Sequence, residues 1–238
     1  EMRFFALYSC FFSAASSVAG AASSEAAAAL PVYDADVLTG QAHRTNGRIV
    51  GVMVNNISNS QRPIEKLEDL KGLKIRVMES PINIATYTAL GCNPTPLAFT
   101  EVYTALQQGT VNAQENPVTN IYDKKFYEQQ KYIVLTNHQI HTDFWAMNLD
   151  FYNSLPADLQ EVVDAGSKAG IDAAHEYAET QADIQLKEME DYGCAILTPD
   201  RALMDAMVSA TQSVRDDIAA QYPEFSENVN AALTRIGG

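Results

Sequence analysis

Arg76, set in the short apolar run Lys74-Ile75-Arg76-Val77-Met78, and the polar run Gln114-Glu115-Asn116-Pro117 are the residues of this chain best suited to holding a ligand. A planar guanidinium grips a carboxylate through two parallel charge-assisted hydrogen bonds, and an asparagine amide adds a neutral one. Both lie in one 49-residue stretch, Asp69 to Pro117, in which Arg76 is the only arginine. The chemistry on offer is capture of a small anion. A strand arginine is also commonly a surface or ion-paired residue, and the local pattern by itself leaves that alternative standing.

Positioning these groups requires strands and helices in alternation. Lys74 to Met78 alternates with period two, which puts Lys74, Arg76 and Met78 on one face and Ile75 and Val77 on the other. Arg76 is therefore expected to point away from the apolar face, near the end of its strand. Ser80-Pro81 predicts a helix start with Ser80 as N-cap, and Gly91 predicts its stop. The pattern then repeats. Asn93 to Phe99 reads as extended because of Pro94 and Pro96, Thr100 is the expected cap of a helix carrying Val102, Tyr103 and Leu106, and Gly109 ends it. Two strand-then-helix steps predict an α/β sheet, whose ligands lie beyond the carboxyl ends of the strands, where helix N-termini also point. Asn116, expected in the loop after Val111 to Gln114, would face the same crevice as Arg76.

Several longer blocks carry a family likeness: Asn59-Ser60-Gln61-Arg62-Pro63-Ile64, Asp69 through Val77, Asn93-Pro94-Thr95-Pro96, Phe99 through Gly109, and Gln114 through Pro117 with Asn120-Ile121-Tyr122. On these the chain closely resembles the substrate-binding subunits of tripartite ATP-independent periplasmic (TRAP) transporters, the dicarboxylate-binding DctP-like family. The likeness is strong over about residues 47 to 136 and looser from there to Gly238. It implies an α/β, periplasmic-binding-protein-like two-lobed fold of type II character with a long bracing helix. It also implies a periplasmic protein that closes around a small organic acid and delivers it to TRAP membrane permease subunits. By the same resemblance Arg76 is the carboxylate clamp, Asn116 adds a hydrogen bond to that carboxylate, and Phe99 packs against the ligand. Glu79, just past the strand that carries Arg76, joins the expected ligand-binding set.

One departure bears on the ligand. Similar proteins often carry a second arginine in a block reading roughly N-G-x-R, and here that place reads Val52-Met53-Val54-Asn55-Asn56, with Asn55 where the arginine would stand. Asn55 stays in the expected ligand-binding set, but a ligand needing two cationic anchors is disfavoured. A lost charge-assisted bond costs roughly 1.5–3 kcal/mol. The large upstream segment that forms most of the first lobe in the family has no match. The organisation expected is a remnant of the first lobe over 1–46, a ligand-binding α/β lobe over 47–150, and the long helix with further C-terminal helices over 151–238. The alternative reading is a truncated, non-transporting sensory or scaffold relative that docks on a protein partner.

Composition narrows the classes further. The chain has 238 residues, 47% hydrophobic and 19% charged, an ordinary globular composition with enough length for a core. Lys+Arg 16 against Asp+Glu 30 gives −14, which offers no basic field for nucleic acid or an anionic membrane. An anionic ligand must then be held by a local cation. Cys10, Cys92 and Cys194 leave at least one thiol unpaired and have no zinc or redox spacing. In the first 30 residues Ala and Ser fill 16 positions. Met2-Arg3 and the apolar run to Phe12 resemble a signal peptide, yet the family likeness continues smoothly through Tyr33 to Val37, which favours a fold segment. No run approaches the roughly 18 apolar residues of a membrane span, so direct membrane insertion is not expected.

Towards the C-terminus, Tyr132 to Asn137 and Thr142 to Leu149 read as two strands separated by His138-Gln139-Ile140-His141. His141, Asp143 and Trp145 alternate onto one face, a cleft lining of donor, acceptor and aromatic platform or else ordinary sheet-surface decoration. His138 and His141 should point to opposite faces, which argues against a metal pair. A helix is predicted from Pro156 to about Tyr192 with Gly193 as its stop, and another from about Arg201 to Tyr222 whose Leu203, Met207, Ala210, Val214 and Ile218 form a core face. GxSxG, HExxH, P-loop and dinucleotide motifs are all missing. Glu101 with Glu115, or His141 with Asp143, would be the acid and base of an enzyme, but the reading is a non-enzymatic carrier without metal or cofactor.

Overall fold

In a computed structural model of the chain, the backbone is described over residues 43–237 and the side chains over 54–139 and 147–231, excepting 175, 178 and 179. The Ala/Ser-rich start, Cys10 and the signal-like run lie outside the described residues, as do the side chains of His43, His141, Asp143, Trp145 and His175. The described chain divides into two compact units, one of residues 54–140 and 180–221, the other of 43–53, 141–179 and 222–237.

The first unit is built on the strand-then-helix steps. Strand β1 (His43–Asn59) is followed by β2 (Lys74–Val77), helix α1 (Pro81–Ala89), β3 (Asn93–Pro96), α2 (Val102–Gln107), β4 (Ala113–Asn116), α3 (Val118–Asp123) and β5 (Tyr132–Asn148). Then come α4 (Leu149–Ser154), the 36-residue α5 (Ala157–Tyr192), β6 (Ala195–Leu197), α6 (Arg201–Ala210), α7 (Gln212–Gln221) and α8 (Pro223–Gly237). Among the described residues the sheet has six strands in the order β3-β2-β4-β1-β5-β6. The pairs β2–β3, β2–β4 and β5–β6 are parallel and β1–β4 is antiparallel. The mixed α/β architecture expected from sequence is the one observed.

The sheet separates two apolar layers. Ile57, Ile75, Val77, Ala113 and Val134 pack with Tyr87, Leu90, Leu203 and Met207. A second cluster gathers Val102, Val111, Ile121, Phe126, Ile133, Met189 and Cys194. Apolar side chains of this kind release roughly 1.5–3 kcal/mol each when fully buried. Cys92 and Cys194 are both buried free thiols.

Several local expectations need correction. Pro81 does open α1, but Ser80 makes no side-chain capping bond. The extended run stops at Pro96, and Phe99 to Glu101 forms a turn of 3-10 helix that leads into α2, with Glu101 rather than Thr100 at the N-cap position. Asn116 is not in a loop: it ends β4, where the antiparallel β1 draws it into the ladder opposite Asn56. The two strands expected after residue 131 are one strand, β5, because His138 and Gln139 find buried places in the sheet instead of a solvated loop. The helix expected from 201 to 222 breaks at Thr211, whose buried hydroxyl turns back to the carbonyls of Met207 and Val208. Leu203, Met207 and Ile218 are nonetheless core residues, as expected.

Candidate anion site

Arg76 sits in β2 between two parallel neighbours, level with Thr95 of β3 and Gln114 of β4. Residues level with one another share a face of the sheet, so Arg76 and Gln114 lie together, with Ile75 and Ala113 on the opposite side. The period-two expectation of sidedness holds, and on that face Arg76 is only 3% exposed. The reason is a carbonyl supplied by the next strand. Arg76 Nε and Nη2 both donate to the Leu97 carbonyl at 3.0 and 2.8 Å, just past β3. Its guanidinium carbon lies 5.8 Å from the centre of the Phe99 ring, within range of a cation–π attraction.

This anchoring uses one edge of the guanidinium. Among the described residues Nη1 has no hydrogen-bond partner, and no carboxylate lies within 4.0 Å of the group. Burial draws the Arg76 pKa down from its ordinary value, opposed by the charges of Glu115 and Glu79, and a guanidinium remains protonated against shifts of this kind. Glu79 itself is exposed, in the turn between β2 and α1. Phe99 is 37% exposed and meets Phe126 edge to face at 5.8 Å, so one of its faces is fixed by the core while part of the ring stays accessible.

Asn116 lies two residues beyond Gln114 on the same face as Arg76. Its Nδ2 donates to Gln114 Oε1 at 2.6 Å, and Asn120 Nδ2 donates to its Oδ1 at 3.3 Å. Gln114 Nε2 in turn donates to Ser58 Oγ at 2.7 Å. A row of neutral amides and a hydroxyl therefore runs from beside Arg76 to the end of β4. Gln114 was missed by the sequence reading, although the alternation Gln-Glu-Asn already puts it on the face of Asn116.

Asn55 falls on the other face, with Glu115. Its Nδ2 donates to Glu115 Oε2 in a short contact, and its Oδ1 is buried without a partner among the described residues. Glu115 is 1% exposed, and burial pushes its carboxyl up to about 8 despite the opposing pull of Arg76 and the Asn55 bond. Close by, Tyr87 Oη and His138 Nε2 are 2.5 Å apart and Thr136 Oγ1 and His138 Nδ1 are 2.7 Å apart. Burial holds His138 down to about 4 and Tyr87 well above its ordinary range. The sequence reading placed His138 in a polar separator and so missed this interior cluster. Glu101, by contrast, is exposed while Glu115 is interior. His141, Asp143 and Trp145 belong to β5 by backbone, and their side chains are outside the described residues.

A mixed sheet flanked by helices thus carries one anchored guanidinium beside an aromatic ring and a row of amides, groups able to hydrogen-bond a small anion. The sequence profile of the family described as bacterial extracellular solute-binding protein, family 7 (DctP), matches residues 49–222, and the chain belongs to this family. A solute-binding protein of Verminephrobacter eiseniae is 48% identical over 111 residues, 46% of this chain and 33% of that protein. The 2,3-diketo-L-gulonate-binding periplasmic protein YiaO of Escherichia coli is 35% identical over 179 residues, 74% of this chain and 53% of that protein. The crystal structure of the sugar acid binding protein of Advenella mimigardefordensis in complex with galactonate superposes with a TM-score of 0.73 at 26% identity, covering 78% of this chain and 61% of that one. The chain thus spans between a third and just over half the length of the curated relatives it matches. Among the described residues, no helix is long and apolar enough to cross a membrane and no His, Cys, Asp and Glu group is arranged to hold a metal.

Proposed function

We propose that this chain captures a small organic acid by its carboxylate, on the extracytoplasmic side, and hands it to a TRAP-type membrane permease. Arg76 is the clamp, Phe99 the apolar wall, and Asn116 the neutral donor beside them. The observation that carries this reading is the half-used guanidinium: Nε and Nη2 are committed to Leu97, while Nη1 is unengaged among the described residues beside a partly exposed ring. A buried cation held in place without a counter-ion is arranged for an anion that arrives from outside.

The ligand class proposed is a monoanionic sugar acid or related hydroxy or keto acid. The relatives named above bind 2,3-diketo-L-gulonate and galactonate. Asn55, turned to the opposite face, adds no cation beside Arg76, which favours a ligand with one charged end and neutral hydroxyl or carbonyl groups elsewhere. The role is transport binding and not catalysis, in keeping with relatives that are binding proteins. Thermal shift against a panel of sugar acids, aliphatic monocarboxylates and dicarboxylates tests it. A ligand at a hundredfold excess over Kd stabilises by about 2.7 kcal/mol, and sugar acids are expected to shift the transition most. Absence of any shift across the panel counts against the carrier and for a scaffold that binds a protein partner.

A further inference from the structure

We propose that Glu115 is a neutral carboxylic acid in the ligand-free protein, paired with the Asn55 amide, and that the anion site keeps its full attraction only while that proton is in place. The inference deepens the proposed function and rests on Arg76 as the clamp. Its basis is geometric. Glu115 is 1% exposed in the interior layer formed by Ile57, Ile75, Val77 and Ala113, and its one hydrogen bond comes from a neutral amide. No cation lies within 4.0 Å of it among the described residues, and an ionised carboxylate so placed is costly.

The second observation is the Asn55 Oδ1, buried without a donor among the described residues. A protonated carboxyl supplies the missing hydrogen: an acid O–H can donate to an amide oxygen while the amide N–H donates to the acid carbonyl. An ionised Glu115 has no proton to give. The raised carboxyl pKa agrees with this arrangement.

The charged and titratable groups around Glu115 set the consequence. From β2, Arg76 draws it towards ionisation, and Glu79 in the following turn offsets part of that charge from solvent. From α1, Tyr87 feels the Glu115 charge and is itself raised, with Cys92 contributing, so neither thiol nor phenol provides a counter-charge. From β5, His138 bonds Tyr87 in its neutral form. Arg76 is therefore the sole cation acting on Glu115 among these groups. If Glu115 ionises, its charge offsets Arg76 from within, and an incoming carboxylate meets a weaker field. Bound monoanion and retained proton go together.

The test has two arms. In ligand-free protein carrying glutamate labelled at the side-chain carboxyl carbon, the Glu115 resonance, assigned by its loss in Glu115→Gln, is expected to titrate near neutrality or above. A midpoint in the ordinary carboxylate range overturns the proposal whether or not any acid binds. Should Glu115→Gln fail to fold, Asn55→Leu identifies the resonance by its shift. In the second arm, Kd for the strongest acid of the panel is measured by calorimetry between pH 7 and 9. Wild type is expected to weaken by up to about tenfold with proton uptake on binding above pH 8, and Glu115→Gln to bind without that slope. A flat wild-type profile, or a slope retained in Glu115→Gln, overturns it. Failure of every acid to bind, with Glu115 found protonated, sinks the carrier reading and leaves the buried acid standing.

Discussion

Under the proposed function Arg76 has two tasks, and the two can be separated by substitution. Its Nε and Nη2 bonds to Leu97 tie β2 to the end of β3, while Nη1 is the group proposed to meet the ligand. Arg76→Lys keeps the charge but loses the planar fork. It is expected to weaken acid binding by roughly tenfold to a hundredfold, matching the loss of a charge-assisted bond of about 1.5–3 kcal/mol. Calorimetry measures this, with circular dichroism to verify the fold, and unchanged affinity would remove Arg76 from the site. Asn116→Ala is expected to cost less, roughly 0.5–1.5 kcal/mol, since its amide bond is neutral and Gln114 and Asn120 remain nearby. A larger loss than that of Arg76→Lys would reverse the ranking. The sidedness of Arg76 was legible from the alternation of Lys74 to Val77. Its burial was not, because the satisfying carbonyl belongs to Leu97 and comes into reach only when β3 pairs in parallel with β2.

At the scale of elements, punctuation was the most legible feature. Gly91, Gly109 and Gly193 all have positive φ, at 84°, 71° and 114°, where the sequence placed helix stops. Gly91 is the most constrained, since an added Cβ there would meet Lys71 Cγ at 3.1 Å. Gly91→Ala is therefore expected to destabilise the first unit by about 1 kcal/mol or more, read from urea denaturation midpoints. An unchanged midpoint would mean the α1 stop does not depend on its left-handed residue. Strand β5 was illegible for the opposite reason. Asn137 adopts φ 44° and His138 follows it, which in sequence reads as a turn. The backbone stays in the ladder because Asn56 Oδ1 accepts from the Asn137 N–H, and Tyr87 and Thr136 engage the His138 ring. The break between α6 and α7 was likewise hidden: Leu203, Met207 and Ile218 keep helical spacing across it, while at the interruption the Thr211 hydroxyl and the Arg215 guanidinium take up the carbonyls of Met207 and Val208.

For the whole molecule, two interior groups set opposing pH slopes. His138 has its folded pKa depressed to about 4, so its contribution is present above the unfolded value near 6.5 and is lost as pH falls through about 4. Glu115 has its folded pKa raised from 4.5 to about 8, so its contribution is full below the unfolded value and is lost as pH rises through about 8. The slopes cancel between roughly pH 4.5 and 6.5 and stability falls on either side. Thermal unfolding should show that plateau, with an alkaline decline on the order of 2 kcal/mol by pH 8 that Glu115→Gln abolishes. A maximum at pH 8 in wild type would contradict the Glu115 assignment, and a decline continuing from pH 4.5 to 6.5 would contradict that of His138. The net charge of −14 was legible from composition, as was the need for a local cation. This interior pair was not, because burial of Glu115 and His138 depends on four strands that are distant in sequence.

The account as a whole turns on where a carboxylate comes to rest. A crystal structure of the chain with the sugar acid that gives the largest thermal shift decides it. A carboxylate oxygen is expected at about 2.8 Å from Arg76 Nη1, with the ligand against Phe99 and the Leu97 bonds intact. A carboxylate seated on another group, with Nη1 still unengaged, would contradict it.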